Sequence, residues 1–249
     1  MELFSSNIFN SYPEIIFGIN PKYGFDREAP FYFNMSLTVG DDEKRVWENR
    51  GYFCSLLGIK PDQVAYQRQI HSDIIRVAEQ GGILGESDAL ITNKSMLGLA
   101  ISTADCTPIF IYDRKKKVIA GVHSGWRGSE KRIVEKTVRK LKNDFGCSPD
   151  EMICFIGPSI SKENYEVGEE VASLFDYQYS VEKQSGKFLL DVKKINYDML
   201  INEGIPAENI EVSKECSFAN PNLHSYRRDK EISGRALGII ALKETNELR

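Results

Sequence analysis

Histidine is scarce: His71, His123 and His224 are the only three in 249 residues. Three imidazoles can furnish one small metal site, but not a trinuclear copper centre together with a separate blue-copper site. The cysteines, at 54, 106, 147, 154 and 216, are odd in number and include no CxxC pair. That speaks against a disulfide framework and for reduced thiols, so the cytoplasm is the expected compartment. Long apolar runs are missing, and none approaches the ~18 residues of a membrane span. Residues 1–20 lack a basic start, an apolar core and a small-residue cleavage site, so no secretion signal is expected. Positive charge is not in excess either. The net charge is −4 and the pI about 5.6. This leaves no electrostatic case for a nucleic-acid or anionic-membrane partner. Repeats, low-complexity tracts and linkers rich in Pro, Gly or Ser are absent. The length fits one large domain or two small ones, with ample material for a core.

Helical and strand patterns alternate along the chain. Acidic residues 41–43 open a helix that carries Val46, Trp47, Arg50, Phe53, Cys54 and Leu57 on one face and ends at Gly58. Residues 63–68, 74–78 and 88–92 read as strands, and a polar break containing His71 separates the first two. LGLAIS, PIFIY and VIAGV, within 98–122, are three further strands. The polar run Asp113–Lys117 should turn the last two into a hairpin. The loop Ser124–Gly128 leads to a predicted helix over 129–145, capped by Ser129 and stopped by Gly146. Beyond it the pattern gives a strand at 152–156, helices near 167–176 and 192–203, and strands at 209–213 and 235–243. The last of these is almost unbroken apolar, as suits a central strand covered on both faces.

The hairpin brings chemistry together. With Lys115 at the centre of the turn, His123 faces Thr107 and Cys106 is the next residue along, so thiol and imidazole reach one end of the sheet. Polar breaks between strands also sit at sheet ends, which brings His71 into range. A His₂Cys set with an open fourth position is the pattern of a catalytic zinc, where bound water is acidified towards pKa ~7. Plainer roles exist for each: Cys106 as a small buried hydrophobe, His123 as a cap on the adjoining loop, His71 as an ordinary loop residue. The loop Ser124-Gly125-Trp126-Arg127-Gly128 feeds a helix N-terminus and could hold an anion with the help of Arg127; equally, it is a turn with Trp126 packed in the core. A second polar cluster, Ser225–Asp229 with Arg235, offers Arg227 or Arg228 to an anionic group, or is a solvated charge run beside an exposed His224.

Several blocks together resemble one family: Gln69-Ile70-His71, Asp88–Thr92, Thr103-Ala104-Asp105-Cys106-Thr107-Pro108, His123-Ser124-Gly125-Trp126-Arg127-Gly128, Ile156-Gly157-Pro158, Tyr165-Glu166-Val167, Ser225-Tyr226-Arg227-Arg228 and Gly234-Arg235. They are similar to the laccase-domain proteins, also called purine nucleoside phosphorylases, polyphenol oxidases or peptidoglycan-editing factors. The likeness runs from about residue 34 to the end. It implies one domain over residues 1–249 with an α+β fold. That fold is a layered sandwich of mixed or antiparallel sheets flanked by helices, related to cysteine-hydrolase toxins. It implies Zn2+ held by His71, Cys106 and His123, with copper the lesser alternative. It also implies phosphorolysis of adenosine, inosine and methylthioadenosine, and adenosine deamination. The partners expected are purine nucleosides and phosphate, with the chain as a monomer or small homo-oligomer. Asp105 is the positional candidate for proton transfer or for orienting a ligand, and Arg127 and Arg227 are candidates for phosphate by charge. The N-terminus departs from the family pattern: Phe17-Gly18-Ile19-Asn20 stands where a Gly-Gly-Val-Ser stretch and an arginine are expected, and His224 replaces an aromatic residue. Three other functions stay open at this point. They are copper oxidation of phenols, hydrolysis with Cys106 as nucleophile and His123 as base, and a binding role in cell-wall quality control without essential turnover.

Overall fold

The computed structural model describes residues 1–244. Two sheets stack face to face. The five-stranded sheet has the order β1 (Ile15–Ile19), β14 (Ala236–Leu242), β6 (Gly98–Thr103), β2 (Val64–Arg68), β4 (Gly82–Glu86). The six-stranded sheet runs β13 (Ile210–Val212), β9 (Met152–Ile156), β7 (Thr107–Asp113), β8 (Val118–Ser124), β5 (Ala89–Thr92), β3 (Ile75–Val77). Both are mixed: β1, β14 and β6 pair antiparallel, and β2 joins β6 and β4 in parallel. A small third sheet holds β10 (Glu166–Val167), β12 (Phe188–Leu190) and β11 (Ser180–Glu182).

The two-residue period of a strand explains the layering. Ile109 and Ile111 of β7 point to one side, where they meet Val134, Val138 and Leu141 of α4 (Ile133–Phe145) and Met199 and Leu200 of α6 (Val192–Asn202). Phe110 and Tyr112 point to the other, into the layer between the sheets with Leu99, Ile101 and Ile240. Strand β14 alternates likewise. Ile240 and Leu242 face the inter-sheet layer, while Ile239 and Ala241 pack against Phe53 and Cys54 of α2 (Glu43–Leu57). The result is helix, sheet, sheet, helix in four layers, an α+β sandwich of the expected class. Strands β7 and β14 are buried along their whole length, as their apolar runs require. Among the described residues no helix is long and apolar enough to cross a membrane.

Three local expectations are corrected. The hairpin pairs Pro108 with His123 and Thr107 with Ser124, one residue away from the expected register. Its cause is Asp113, whose carboxylate accepts the N–H groups of Lys115 and Lys116 at 3.0 and 2.7 Å and sets a four-residue loop. The helix expected over 129–145 is two helices, α3 (Trp126–Glu130) and α4, broken at Arg132, which has φ of 59°. Ser129 does not cap α4. Its hydroxyl is buried, pairs with Ser124 Oγ at 3.0 Å and accepts from Asn196 Nδ2 at 3.0 Å. The helix expected near 167–176 shrinks to α5 (Glu169–Ala172), because residues 166–167 are drawn into the third sheet as β10.

Candidate metal centre

His71, Cys106 and His123 come from three separate segments and meet at one end of the six-stranded sheet. One donor atom from each lies within 4.8 Å of the other two. The Cys106 sulfur is 3.8 Å from His71 Nε2, and the two imidazole centroids are 4.9 Å apart. A tetrahedral zinc with bonds of about 2.3 Å to sulfur and 2.0 Å to nitrogen separates those atoms by about 3.6 Å. The donor set, two imidazoles and a thiolate, therefore fits a divalent ion of zinc type, and the three residues could hold one.

Asp88, in the turn before β5, organises this site. It is fully buried. Its Oδ2 accepts from Ile70 N, Ser72 N and Ser72 Oγ at 3.2, 2.6 and 2.7 Å. Its Oδ1 accepts from His71 N at 3.1 Å and pairs with His123 Nδ1 at 2.9 Å. An ionised carboxylate only accepts, so the proton of that pair belongs to Nδ1 of His123. Nε2 is then the nitrogen turned towards Cys106, and a bound ion would take its lone pair in place of the proton carried there by the metal-free imidazolium. The same carboxylate holds the left-handed backbone of His71, whose φ is 58°. Burial pushes the Asp88 pKa up, yet the hydrogen bonds of His123 and Ser72 outweigh it and bring it to about 2. Sequence reasoning registered Asp88 only inside the Asp88–Thr92 block. A lone acid opening a strand reads as a solvent-facing end residue, and nothing local says that the loop at residues 70–72 and the end of β8 come together on it.

The thiol and His123 polarise each other. Burial pushes the Cys106 thiol up, but the positive charge and hydrogen bond of His123, with smaller help from His71, bring it down to about 6. Burial pulls the His123 pKa down, while Cys106 and Asp88 raise it to about 9. Gly125 makes the close approach possible: a Cβ there would lie 2.6 Å from the Cys106 sulfur.

The three donors open into a cleft of about 860 Å³, within the range of small-molecule sites. Asp105, Trp126, Arg127, Tyr165, Arg227 and Arg235 line it as well. Asp105 has φ of 88°, and its carboxylate accepts from Ser217 Oγ, Ser225 Oγ and the Arg227 N–H at 2.6, 2.7 and 2.6 Å. It thereby ties the segment Ser217–Arg227 to the strand end that carries Cys106. Arg127 is exposed, with its guanidinium 4.2 Å from the Trp126 ring centroid. The loop that carries it enters the short α3, not the long helix expected. Arg227 donates to the Glu166 carbonyl at 2.7 Å and lies 5.0 Å from the Tyr165 ring centroid. Arg228 is a structural clamp: it donates to the carbonyls of Ser217, Phe218, Asn220 and Leu223. His224 is buried, not exposed, with Nδ1 lacking a partner and Nε2 3.5 Å from the Phe33 carbonyl. It fits beneath Gly234, where a Cβ would come within 2.6 Å of its ring. The divergent segment 17–20 belongs to the fold. Residues 17–19 pair with β14, and the buried Asn20 bonds Pro21 O, Phe33 O and Leu237 N.

The family model described as multi-copper polyphenol oxidoreductase laccase matches residues 21–243. The chain belongs to that family. The match begins earlier than the sequence blocks alone suggested, at residue 21 and not near 34. A purine nucleoside phosphorylase of Clostridium acetobutylicum is 37% identical over 217 residues, covering 85% of this chain and 87% of the relative. An adenosine deaminase from an unknown prokaryotic organism is 32% identical over 235 residues, covering 87% of this chain and 89% of the relative. Among solved structures, YlmD from Geobacillus stearothermophilus superposes with a TM-score of 0.90 at 26% identity, covering 96% of this chain and 94% of that one. Relatives so named make this laccase-family chain an enzyme of the same type.

Proposed function

We propose that this protein is a zinc-dependent purine nucleoside enzyme. It cleaves adenosine, inosine and methylthioadenosine with phosphate to give the base and ribose 1-phosphate, and it deaminates adenosine. The observation that carries the reading is the convergence of His71, Cys106 and His123 at one point of the cleft, with Asp88 fixing the tautomer of His123. The names of the relatives supply the substrate class. Zinc with three protein ligands supplies a Lewis acid with one coordination position free for water or substrate. The chain's own residues then do the rest. Trp126 and Tyr165 offer flat apolar faces to a purine. Arg127 and Arg227, which line the same cleft, draw an anion towards the ribose. Asp105 keeps the Arg227 segment in place through its three accepted hydrogen bonds, which supports an orienting role over proton transfer. The reading takes residues 1–249 as one domain, since all layers share the two stacked sheets.

The family's printed description favours copper and phenol oxidation as a second reading. Two of the three imidazoles join the one metal-type cluster found among the described residues, and the third, His224, is buried elsewhere. That supports a single ion over a multicopper centre. Metal analysis of the purified protein separates zinc from copper.

The test is incubation with adenosine, with and without phosphate, followed by product analysis. Inosine without phosphate marks deamination, and adenine that forms only with phosphate marks phosphorolysis. Chelation should abolish both and zinc should restore them. Zinc-loaded protein that converts no purine nucleoside would end this reading. Activity that survives metal removal but not alkylation of Cys106 would favour the cysteine-hydrolase alternative.

A further inference from the structure

One charge in the cleft wall is buried with no counter-ion among the described residues. Arg50, on α2, is 7% exposed. Its guanidinium lies 4.7 Å from the Trp47 ring centroid and 4.3 Å from that of Tyr66. Nε donates to the Met35 carbonyl at 2.9 Å, while Nη1 is buried and has no partner among the described residues. The ionisable groups close enough to act on its charge are Tyr66 and Cys54, with no carboxylate among them. Burial lowers the arginine's pKa, but a guanidinium stays charged at neutral pH. Folded proteins pair their buried charges, because an unpaired one costs several kcal/mol. The two rings and the Met35 bond explain why the side chain is held still. They leave Nη1 without a hydrogen-bond acceptor among the described residues, on a side chain that lines the cleft.

The neighbours suit an oxyanion. Ser36 and Thr38 line the same cleft, with their hydroxyls 3.0 Å apart. They follow, within three residues, the Met35 carbonyl that Arg50 grips, which ties the arginine to the segment that carries the hydroxyls. Of the other cleft arginines, Arg227 and Arg235 already donate to backbone carbonyls, and Arg127 is exposed against the Trp126 ring, so Arg50 differs from them in being buried.

We propose that Arg50, with the hydroxyls of Ser36 and Thr38, forms a phosphate-binding subsite in the cleft wall. A guanidinium and two hydroxyls lining one cleft supply the donors that the oxygens of a phosphate group accept. That group is either free orthophosphate, the co-substrate of phosphorolysis, or the ester phosphate of a purine nucleotide. The identity of the rest of the ligand rests on the nucleoside reading above; the subsite itself stands on binding, not on turnover.

Isothermal titration of the full chain tests it, with inorganic phosphate, adenosine 5′-monophosphate and adenosine as ligands. Arg50→Met should weaken binding of phosphate or of the nucleotide at least about tenfold, the worth of one charge-assisted hydrogen bond. Adenosine affinity should stay within about twofold, since no contact to it is removed. Arg50-dependent binding of phosphate alone assigns the subsite to the co-substrate; tighter, Arg50-dependent binding of the nucleotide assigns it to a phosphate carried by the substrate. In turnover with phosphate as co-substrate, KM for phosphate should rise while kcat holds, as for binding lost equally in ground and transition states. A folded Arg50→Met protein that binds both anions like wild type overturns the subsite. So does wild type that binds neither anion up to about 10 mM. Should Arg50→Met fail to fold, Arg50→Lys and Thr38→Ala decide, and unchanged anion affinity in both has the same force. Arg50-dependent phosphate binding without conversion of any purine nucleoside would remove the nucleoside reading and leave the subsite standing.

Discussion

Replacing Asp88 with asparagine keeps the shape of the side chain and removes one acceptor and its charge. The carboxylate receives five hydrogen bonds, three on Oδ2 and two on Oδ1. An amide NH2 must replace one oxygen, and the less costly place is Oδ1, where it faces the His71 N–H and His123 Nδ1. Two bonds to a charged acceptor are lost, each worth about 1.5–3 kcal/mol, so the raw cost is about 3–6 kcal/mol. His123 can recover one bond by moving its proton to Nε2 and accepting at Nδ1. That rescue blocks the nitrogen that faces Cys106. The net expectation is about 3 kcal/mol of lost stability and at least a 10–100-fold loss of metal affinity. Urea unfolding of the metal-free protein measures the first, and competition with a chromogenic chelator the second. Zinc affinity within about threefold of wild type, together with an unchanged urea midpoint, would refute the account of Asp88. The pH dependence has a defined sign. The folded pKa is depressed to about 2, so the contribution of Asp88 is complete above the unfolded value near 3.8 and is lost as pH falls towards 2. Asp88→Asn should flatten that acid limb.

Gly125→Ala places a methyl where the Cys106 sulfur lies 2.6 Å away. We expect bound metal to fall well below one equivalent, by elemental analysis, while thermal stability drops by no more than about 1–3 kcal/mol, as for overpacking. His224 is buried neutral, and burial lowers its pKa to about 3 from an ordinary 6.5. Protonation therefore favours the unfolded chain, and stability should fall as pH drops from 6.5 towards 3. His224→Leu should lose less stability than wild type over that interval, read as urea midpoints at each pH.

Much of the fold was legible because its signals are local. The unbroken apolar runs of β7 and β14, the acidic start and glycine stop of α2 and the polar turn Asp113–Lys117 all act within a few residues. The spacing of residues 106 and 123 about one hairpin brought the thiol and an imidazole to the same sheet end even with the register one residue out, because neighbouring positions remain a few ångströms apart. The helix break at Arg132 was not legible. It depends on Ser129 joining Ser124 and Asn196, the latter 67 residues away.

By itself the sequence determined the element pattern, the shortage of imidazole that limits the chain to one small metal site, and the motif blocks that carry the family. Only tertiary structure decided that His71 joins the hairpin pair, that Asp88 binds both histidine segments, that Asp105 anchors the Ser217–Arg227 segment, and that Arg50 is buried in the cleft wall with no carboxylate beside it. The physical reason is range. Periodicity and capping are short-range and are written into neighbouring residues. A buried carboxylate that gathers donors from a loop 16 positions away and a strand 35 positions away acts only once the chain has closed around it.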